Sequence, residues 1–100
     1  MFVVVVDDCG AVRLIQGEHN YTQTHEDTVA AALHGGTDLD CGNFYYNYTQ
    51  RALDNRTIVE ADIDRAVLRN FNILIRLGYF DPPEIQPYRQ IQHTAGDTEM

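Results

Sequence analysis

Several features of common catalytic and binding sites are missing from this sequence. It contains no serine, so a serine nucleophile is excluded. It also has no glycine-rich loop of the kind that cradles phosphate groups. The four histidines are not at the close spacing of metal ligands, and Cys9 and Cys41 are too far apart for a zinc knuckle. We therefore expect neither a metal site nor a cofactor.

Basic residues and long apolar runs are also scarce. Seven Lys and Arg residues stand against fifteen Asp and Glu residues, which gives a formal net charge of −8. Binding to nucleic acid or to an anionic membrane needs an excess of positive charge, so neither partner is expected. No apolar run is long enough to span a membrane, and no signal peptide is visible. The acidity itself is most simply a source of solubility.

Two features of the sequence point to a secreted origin. Asn20, Asn47 and Asn55 each begin an Asn-X-Thr glycosylation sequon. The two cysteines, Cys9 and Cys41, are compatible with a disulfide in an oxidising compartment. They are equally compatible with two buried free thiols, and the spacing alone leaves both interpretations open.

The chain is organised around an apolar run that ends in two acids. Phe2 to Val6 is unbroken by polar residues, which predicts a strand buried on both faces of a parallel sheet. Asp7 and Asp8 follow directly. Catalytic residues of parallel α/β folds lie at this end of the strands. An Asp at the end of a strand also commonly begins a turn, so this stretch alone does not establish catalysis.

A second acidic segment follows after one helix. Thr24 is a suitable N-cap for a helix over residues 25–34, which the glycines at 35 and 36 would end. Residues 37–40 then predict a short strand with an acidic end, followed by Cys41. A strand, a crossover helix and a second strand form a parallel pair whose carboxyl ends meet at one edge. This order places Cys9 and Cys41 close in space.

Two more helices are predicted, over residues 43–53 and 60–77. The first is rich in aromatic side chains, which could stack on a sugar or a base but more often pack in a core. The second has an apolar stripe at helical spacing. From residue 86 to residue 100 the sequence has no core pattern, and we interpret it as linker or disorder. The aromatic residues are Phe44, Tyr45, Tyr46 and Tyr48.

Four motifs, in order, carry a resemblance to a known family. They are Val-Asp-Asp-Cys-Gly-Ala-Val at 6–12, Gly-Gly-Thr-Asp-Leu-Asp-Cys-Gly at 35–42, Glu-Ala-Asp-Ile-Asp-Arg-Ala-Val at 60–67 and Arg-Leu-Gly-Tyr-Phe-Asp-Pro at 76–82. Together they resemble glycoside hydrolase family 3, in its fungal and plant β-xylosidase branch. The resemblance extends over residues 2–90.

The resemblance implies an α/β fold that is a partial domain. Residues 1–80 resemble the last two β-α units of a (β/α)8 TIM-like barrel. Residues 81–100 are expected to be a linker or a disordered tail. The rest of the barrel and the α/β sandwich domain of the parent enzyme are then expected partners of this segment. The full-length parent is expected to be secreted.

The resemblance also implies roles for individual residues. Asp8 matches the catalytic nucleophile, and Asp7 stands where the family usually has Ser or Thr. Cys9 follows the nucleophile as in xylosidases, whereas glucosidases of the family usually have Trp there. Cys9 and Cys41 match a disulfide on the leaving-group side of the sugar pocket, so Asp7, Cys9 and Cys41 are expected at its rim. Val59 departs from the Ser or Thr helix cap of the family.

The implied function is that of a fragment of a retaining exo-1,4-β-xylosidase, which releases xylose from the ends of xylo-oligosaccharides. Such an enzyme needs a second carboxyl as acid/base, which the family takes from the sandwich domain, so the fragment is expected to be inactive alone. One alternative is a non-catalytic remnant that binds sugar or a partner domain. Others are a related β-glucosidase or arabinofuranosidase, acting on another β-glycoside, and an unrelated small α/β interaction module.

Overall fold

The structure is a computed structural model that describes residues 3–92 and Gly96. These residues include four α-helices, and two short 3₁₀ helices follow them. The α-helices are α1 (Leu14–Gly17), α2 (His25–Gly35), α3 (Phe44–Asp54) and α4 (Glu60–Arg76), and the 3₁₀ helices are Pro83–Ile85 and Pro87–Gln90.

The predicted buried strand at the start of the chain is wrong for residues 3–6. These residues are extended, but their pairing is limited to one isolated parallel bridge between Val6 and Leu39. Val3, Val5 and Val6 are each nearly half exposed. A buried strand needs hydrogen-bonding neighbours on both sides and covered faces, and the described residues supply one short neighbour. Phe2 lies outside the described residues. The parallel direction of the predicted pair is the one that the structure has.

Helix α2 is the centre of the packing and follows its sequence signals closely. The Thr24 hydroxyl accepts a hydrogen bond from the Asp27 amide at 3.0 Å, which is the predicted N-cap. The helix ends at Gly35, and the C-cap residue Gly36 has a φ of 101°, which is unfavourable for residues with a side chain. Val29 of α2 is completely buried. The helix packs against α1, α3 and α4, so its buried face organises the core.

Helix α4 begins without a side-chain cap because Val59 carries no acceptor atom. The Asp62 carboxylate compensates in part, since it accepts the Val59 N–H at 3.0 Å. This hydrogen bond, together with contacts to His34 and Arg65, lowers the pKa of Asp62 to about 2. The junction is therefore stabilised at pH values above the usual carboxyl pKa, and the stabilisation is lost as the pH falls towards 2.

Much of the predicted apolar stripe of α4 is uncovered. Ala66 is buried and Ile63 packs against the core, but Val67, Phe71 and Leu77 are largely exposed. Phe71 stacks on Phe80, with ring centroids 6.0 Å apart, and both side chains remain about half exposed.

The described part of the predicted linker or tail is tied back to the end of α4. The Gln86 side-chain amide donates to the carbonyls of Gly78 and Asp81 at 2.7 and 2.8 Å. Residues 93–95 and 97–100, which complete the predicted tail, lie outside the described residues. Within the described part of the chain, no helix is long and apolar enough to cross a membrane.

Candidate functional site

Two acidic turns lie side by side at the end of the parallel bridge. The Asp7 amide donates to the Leu39 carbonyl at 3.2 Å. The Asp38 and Leu39 amides both donate to the Val5 carbonyl, at 2.8 and 3.2 Å. Since the two segments run in the same direction, the turn after Val6 and the turn after Leu39 meet at one edge. The crossover geometry expected from the sequence is therefore present at this edge, although no sheet surrounds it among residues 3–92.

Cys41 is joined to the first turn through three of its atoms. Its amide N–H donates to Asp7 Oδ1, and its carbonyl accepts the Gly10 N–H at 2.7 Å. Its sulfur is bonded to Cys9, with the two Cα atoms 4.3 Å apart. The disulfide closes a loop with a sequence separation of 32, for which chain entropy gives about 4 kcal/mol of stabilisation.

Asp7 uses both carboxylate oxygens within the protein. Oδ1 accepts the Cys41 N–H, and Oδ2 accepts the Val12 N–H at 3.3 Å. The residue is half-buried. Its oxygens are thus directed at backbone amides, and this occupation suits a structural acceptor better than a group that attacks a substrate.

Asp8 differs from its neighbour in every one of these respects. It is exposed, and its carboxylate has no hydrogen bond or ion pair with any described residue. Its backbone carbonyl accepts the Ala11 N–H at 2.7 Å, which closes a tight turn around Gly10, where φ is 82°. The Asp8 carboxylate is therefore accessible to a ligand at this turn.

The second turn brings two further carboxylates that the sequence did not assign to the site. Asp38 is buried, and its side chain accepts the Val5 N–H at 3.0 Å and pairs with Arg69 at 3.2 Å. Asp40 Oδ2 accepts the Tyr45 N–H at 2.9 Å in the first turn of α3, whereas its Oδ1 is buried with no hydrogen-bond partner among the described residues. Asp38 and Asp40 belong to the second predicted strand, residues 37–40, and its acidic end is the sequence feature that could have identified both of them.

Tyr45 lies against this second turn. Its hydroxyl donates to the Thr37 carbonyl at 3.0 Å. Burial raises the pKa of Tyr45 well above its usual value, and the nearby carboxylates of Asp40, Asp7 and Asp38 raise it further. The phenol therefore remains protonated and serves as a hydrogen-bond donor.

Comparisons with known proteins agree with the motifs. No protein-family model matches the chain. The chain is 45% identical over 94 residues to a probable exo-1,4-β-xylosidase bxlB of Aspergillus fumigatus. The match covers 94% of this chain and 12% of that protein. It is 42% identical over 87 residues to the exo-1,4-β-xylosidase bxlB of Emericella nidulans, covering 87% and 11%.

A solved structure gives the same result. The GH3 exo-β-xylosidase XlnD, in complex with a xylobiose aziridine activity-based probe, superposes with a TM-score of 0.82 at 36% identity. The match covers 89% of this chain and 11% of that chain. The predicted resemblance to glycoside hydrolase family 3 is confirmed. The chain spans only about one eighth of the curated xylosidases that it matches.

The aromatic residues of this xylosidase-like segment serve mainly in packing. Phe44 is buried, and Tyr48 stacks on His25 with ring centroids 4.2 Å apart. Tyr46 alone among the four aromatic residues of α3 projects into solvent, with 90% of its surface exposed. The packing interpretation therefore holds for most of the cluster.

The three sequon asparagines lie on the surface of the segment. Asn20 is in the loop before α2, Asn47 is on α3, and Asn55 directly follows α3. All three are exposed. Within the described residues, no group of three or more His, Cys, Asp or Glu side chains is arranged to hold a metal ion.

Proposed function

We propose that this chain is the nucleophile-bearing segment of a retaining exo-1,4-β-xylosidase, and that Asp8 is the nucleophile. The observation that carries the proposal is the exposed carboxylate of Asp8, which has no partner among the described residues and lies on a turn that the disulfide and two hydrogen bonds fix. The turn lies within a segment that is 45% identical to a probable xylosidase over 94 residues.

In this mechanism, an Asp8 oxygen attacks the anomeric carbon of a terminal xylose. The bond from that carbon to the leaving oxygen breaks, and a second carboxylic acid gives its proton to that oxygen. The same carboxylate then removes a proton from water, which attacks the anomeric carbon and releases Asp8. In retaining glycosidases the two carboxyl groups are about 5 Å apart. We assign the second one to another part of the parent enzyme, so the chain alone has no activity.

The fold of the parent follows from the same proposal. We assign residues 1–80 to the last two β-α units of a (β/α)8 barrel and residues 81–100 to the start of a linker. In that setting, further strands would pair with the extended residues 3–6 and cover their exposed valines. Cys9, Cys41 and Asp7 would then line the rim of the pocket, with the disulfide on the leaving-group side of the sugar.

A chimera tests the assignment of Asp8. Residues 3–92 replace the matching segment of the Emericella nidulans xylosidase, and hydrolysis of an aryl β-xyloside is measured. We expect activity in the chimera and a loss of kcat by several orders of magnitude in Asp8→Ala. Added azide should restore turnover of Asp8→Ala by attacking the anomeric carbon from the vacated side, giving an α-xylosyl azide. Asp64→Ala, which removes an exposed carboxylate of α4, is the matched control.

Two results would reject the assignment. One is a loss of kcat below about tenfold in Asp8→Ala. The other is restoration by azide of an Asp7→Ala chimera that retains Asp8, with α-xylosyl azide as the product, because that anomer forms only when azide attacks from the side that the nucleophile has vacated.

A further inference from the structure

Asp7 joins two separate parts of the chain on either side of Asp8. Its Oδ1 accepts an N–H from Cys41 in the neighbouring turn, and its Oδ2 accepts the Val12 N–H, downstream in its own turn. The pairs are 34 and 5 positions apart in sequence. One carboxylate therefore closes the Asp8 turn on itself and fastens it to the second turn.

The residues that flank Asp8 are all attached to Cys41. The Asp7 carboxylate accepts the amide N–H of Cys41, and Cys9 is bonded to the sulfur of Cys41. The Gly10 N–H donates to the Cys41 carbonyl at 2.7 Å. Asp8 is thus held through its neighbours while its own carboxylate has no partner among the described residues. This combination fixes the backbone of a reactive group without occupying its oxygens, as catalytic positioning requires.

Both oxygens of Asp7 are needed for this arrangement. In Asp7→Asn the side chain keeps one acceptor oxygen, and an NH₂ group replaces the other. The NH₂ group is a hydrogen-bond donor, so it cannot accept a hydrogen bond from the backbone N–H that it would face. The turn would then lose either its link to Cys41 or its closure at Val12. An exposed surface carboxylate such as Asp64, with no hydrogen-bond or ion-pair partner among residues 3–92, loses nothing comparable when it is converted to an amide.

We propose that Asp7 is a positioning residue, which uses its two oxygens to clamp the Asp8 turn onto Cys41 and so fixes the direction of the Asp8 carboxylate. The clamp itself follows from the geometry, whereas its effect on turnover rests on the proposed function. The two parts are therefore tested separately.

Hydrogen exchange in the full 100-residue chain tests the clamp. We expect the Cys41 and Val12 amides to be protected in the unmodified protein. In Asp7→Asn, protection of at least one of them should fall by about tenfold or more, because a lost hydrogen bond exposes the amide to local opening. Asp64→Asn should leave both protected. Thiol titration establishes that the disulfide remains intact, and Asp7→Ser, with one acceptor oxygen, replaces Asp7→Asn if the latter does not fold.

Turnover in the xylosidase chimera tests positioning. Rates are normalised to the sites labelled by a xylobiose aziridine probe, so that unfolded enzyme does not count. Asp7→Asn should lower kcat per labelled site by about 10- to 100-fold, the range expected when a reacting group is displaced. KM should change little, and azide should not restore the rate, because Asp8 still occupies the nucleophile position.

The outcomes separate the two proposals. If Asp7→Asn matches Asp64→Asn in amide protection, the clamp is overturned, whatever its kcat per labelled site. If kcat is unchanged while protection is lost, Asp7 is structural and the positioning role is overturned. If the unmodified chimera is inactive, the proposed function fails, and hydrogen exchange alone then decides whether Asp7 clamps the turn.

Discussion

Asp7 and Asp8 show how two identical neighbouring residues come to differ. Side chains of successive residues at the end of an extended segment point to opposite sides. Asp7 is half-buried against Cys41, whereas Asp8 is exposed. The family motif was sufficient to propose Asp8 as the nucleophile. It could not predict that Asp7 binds the Cys41 and Val12 amides, because that depends on how closely two turns 34 positions apart approach each other.

At the residue scale, we expect glycosylation of Asn20 and Asn47 when the protein passes through a eukaryotic secretory pathway. Both are exposed, and each begins a sequon. The disulfide supports an oxidising compartment. Mass spectrometry of peptides from a secretory host is the measurement, with Asn20→Gln and Asn47→Gln as matched controls. Unmodified peptides at both sites would argue against a secreted parent.

The helices were predictable because their end signals are local. The cap at Thr24 and the glycine at Gly36 were read from the sequence, and the bounds of α2, α3 and α4 agree with the predictions to within one residue. The strands were not predictable in this way. A strand exists through hydrogen bonds to neighbours that are distant in sequence, and within residues 3–92 the pairing stops at one bridge.

At the element scale, we expect Val59→Thr to stabilise the chain by about 1 kcal/mol, the usual contribution of an N-cap. Val59 already has extended backbone angles, with φ −120° and ψ 160°, and more than half of its surface is exposed. Threonine has nearly the same shape as valine. Its hydroxyl can accept a hydrogen bond from a backbone N–H in the first turn of α4. Together with Asp62, which already accepts the Val59 N–H, it would complete a capping box.

Chemical denaturation at neutral pH measures this change in the free energy of unfolding. Val59→Ala is the control, because it removes the branched side chain without adding an acceptor. A threonine variant no more stable than the unmodified chain would show that the Asp62 hydrogen bond already satisfies the helix start.

For the whole molecule, the sequence predicted which residues of α4 share a face but not what covers them. Apolar spacing identifies a face that is suited to burial, and it contains no information on whether a partner surface exists. Ala66 finds that surface on the core, while Phe71 and the later residues of the stripe do not. The barrel assignment rests on resemblance, since the one bridge and four α-helices among the described residues do not themselves specify a closed sheet.

The exposed face of α4 leads to a prediction for the isolated chain. Leu68, Phe71 and Ile75 follow one another at helical spacing, and each is about half exposed or more. A contiguous apolar surface of this kind favours association in water. We therefore expect the sedimentation coefficient of the isolated chain to rise with protein concentration. Ile75→Glu should suppress this rise, since it places a charge on the apolar face. Tyr46→Glu adds the same charge at an exposed position on α3 and should leave the association unchanged. A chain that is monomeric at all concentrations, or that both variants affect equally, would show that this face does not drive association.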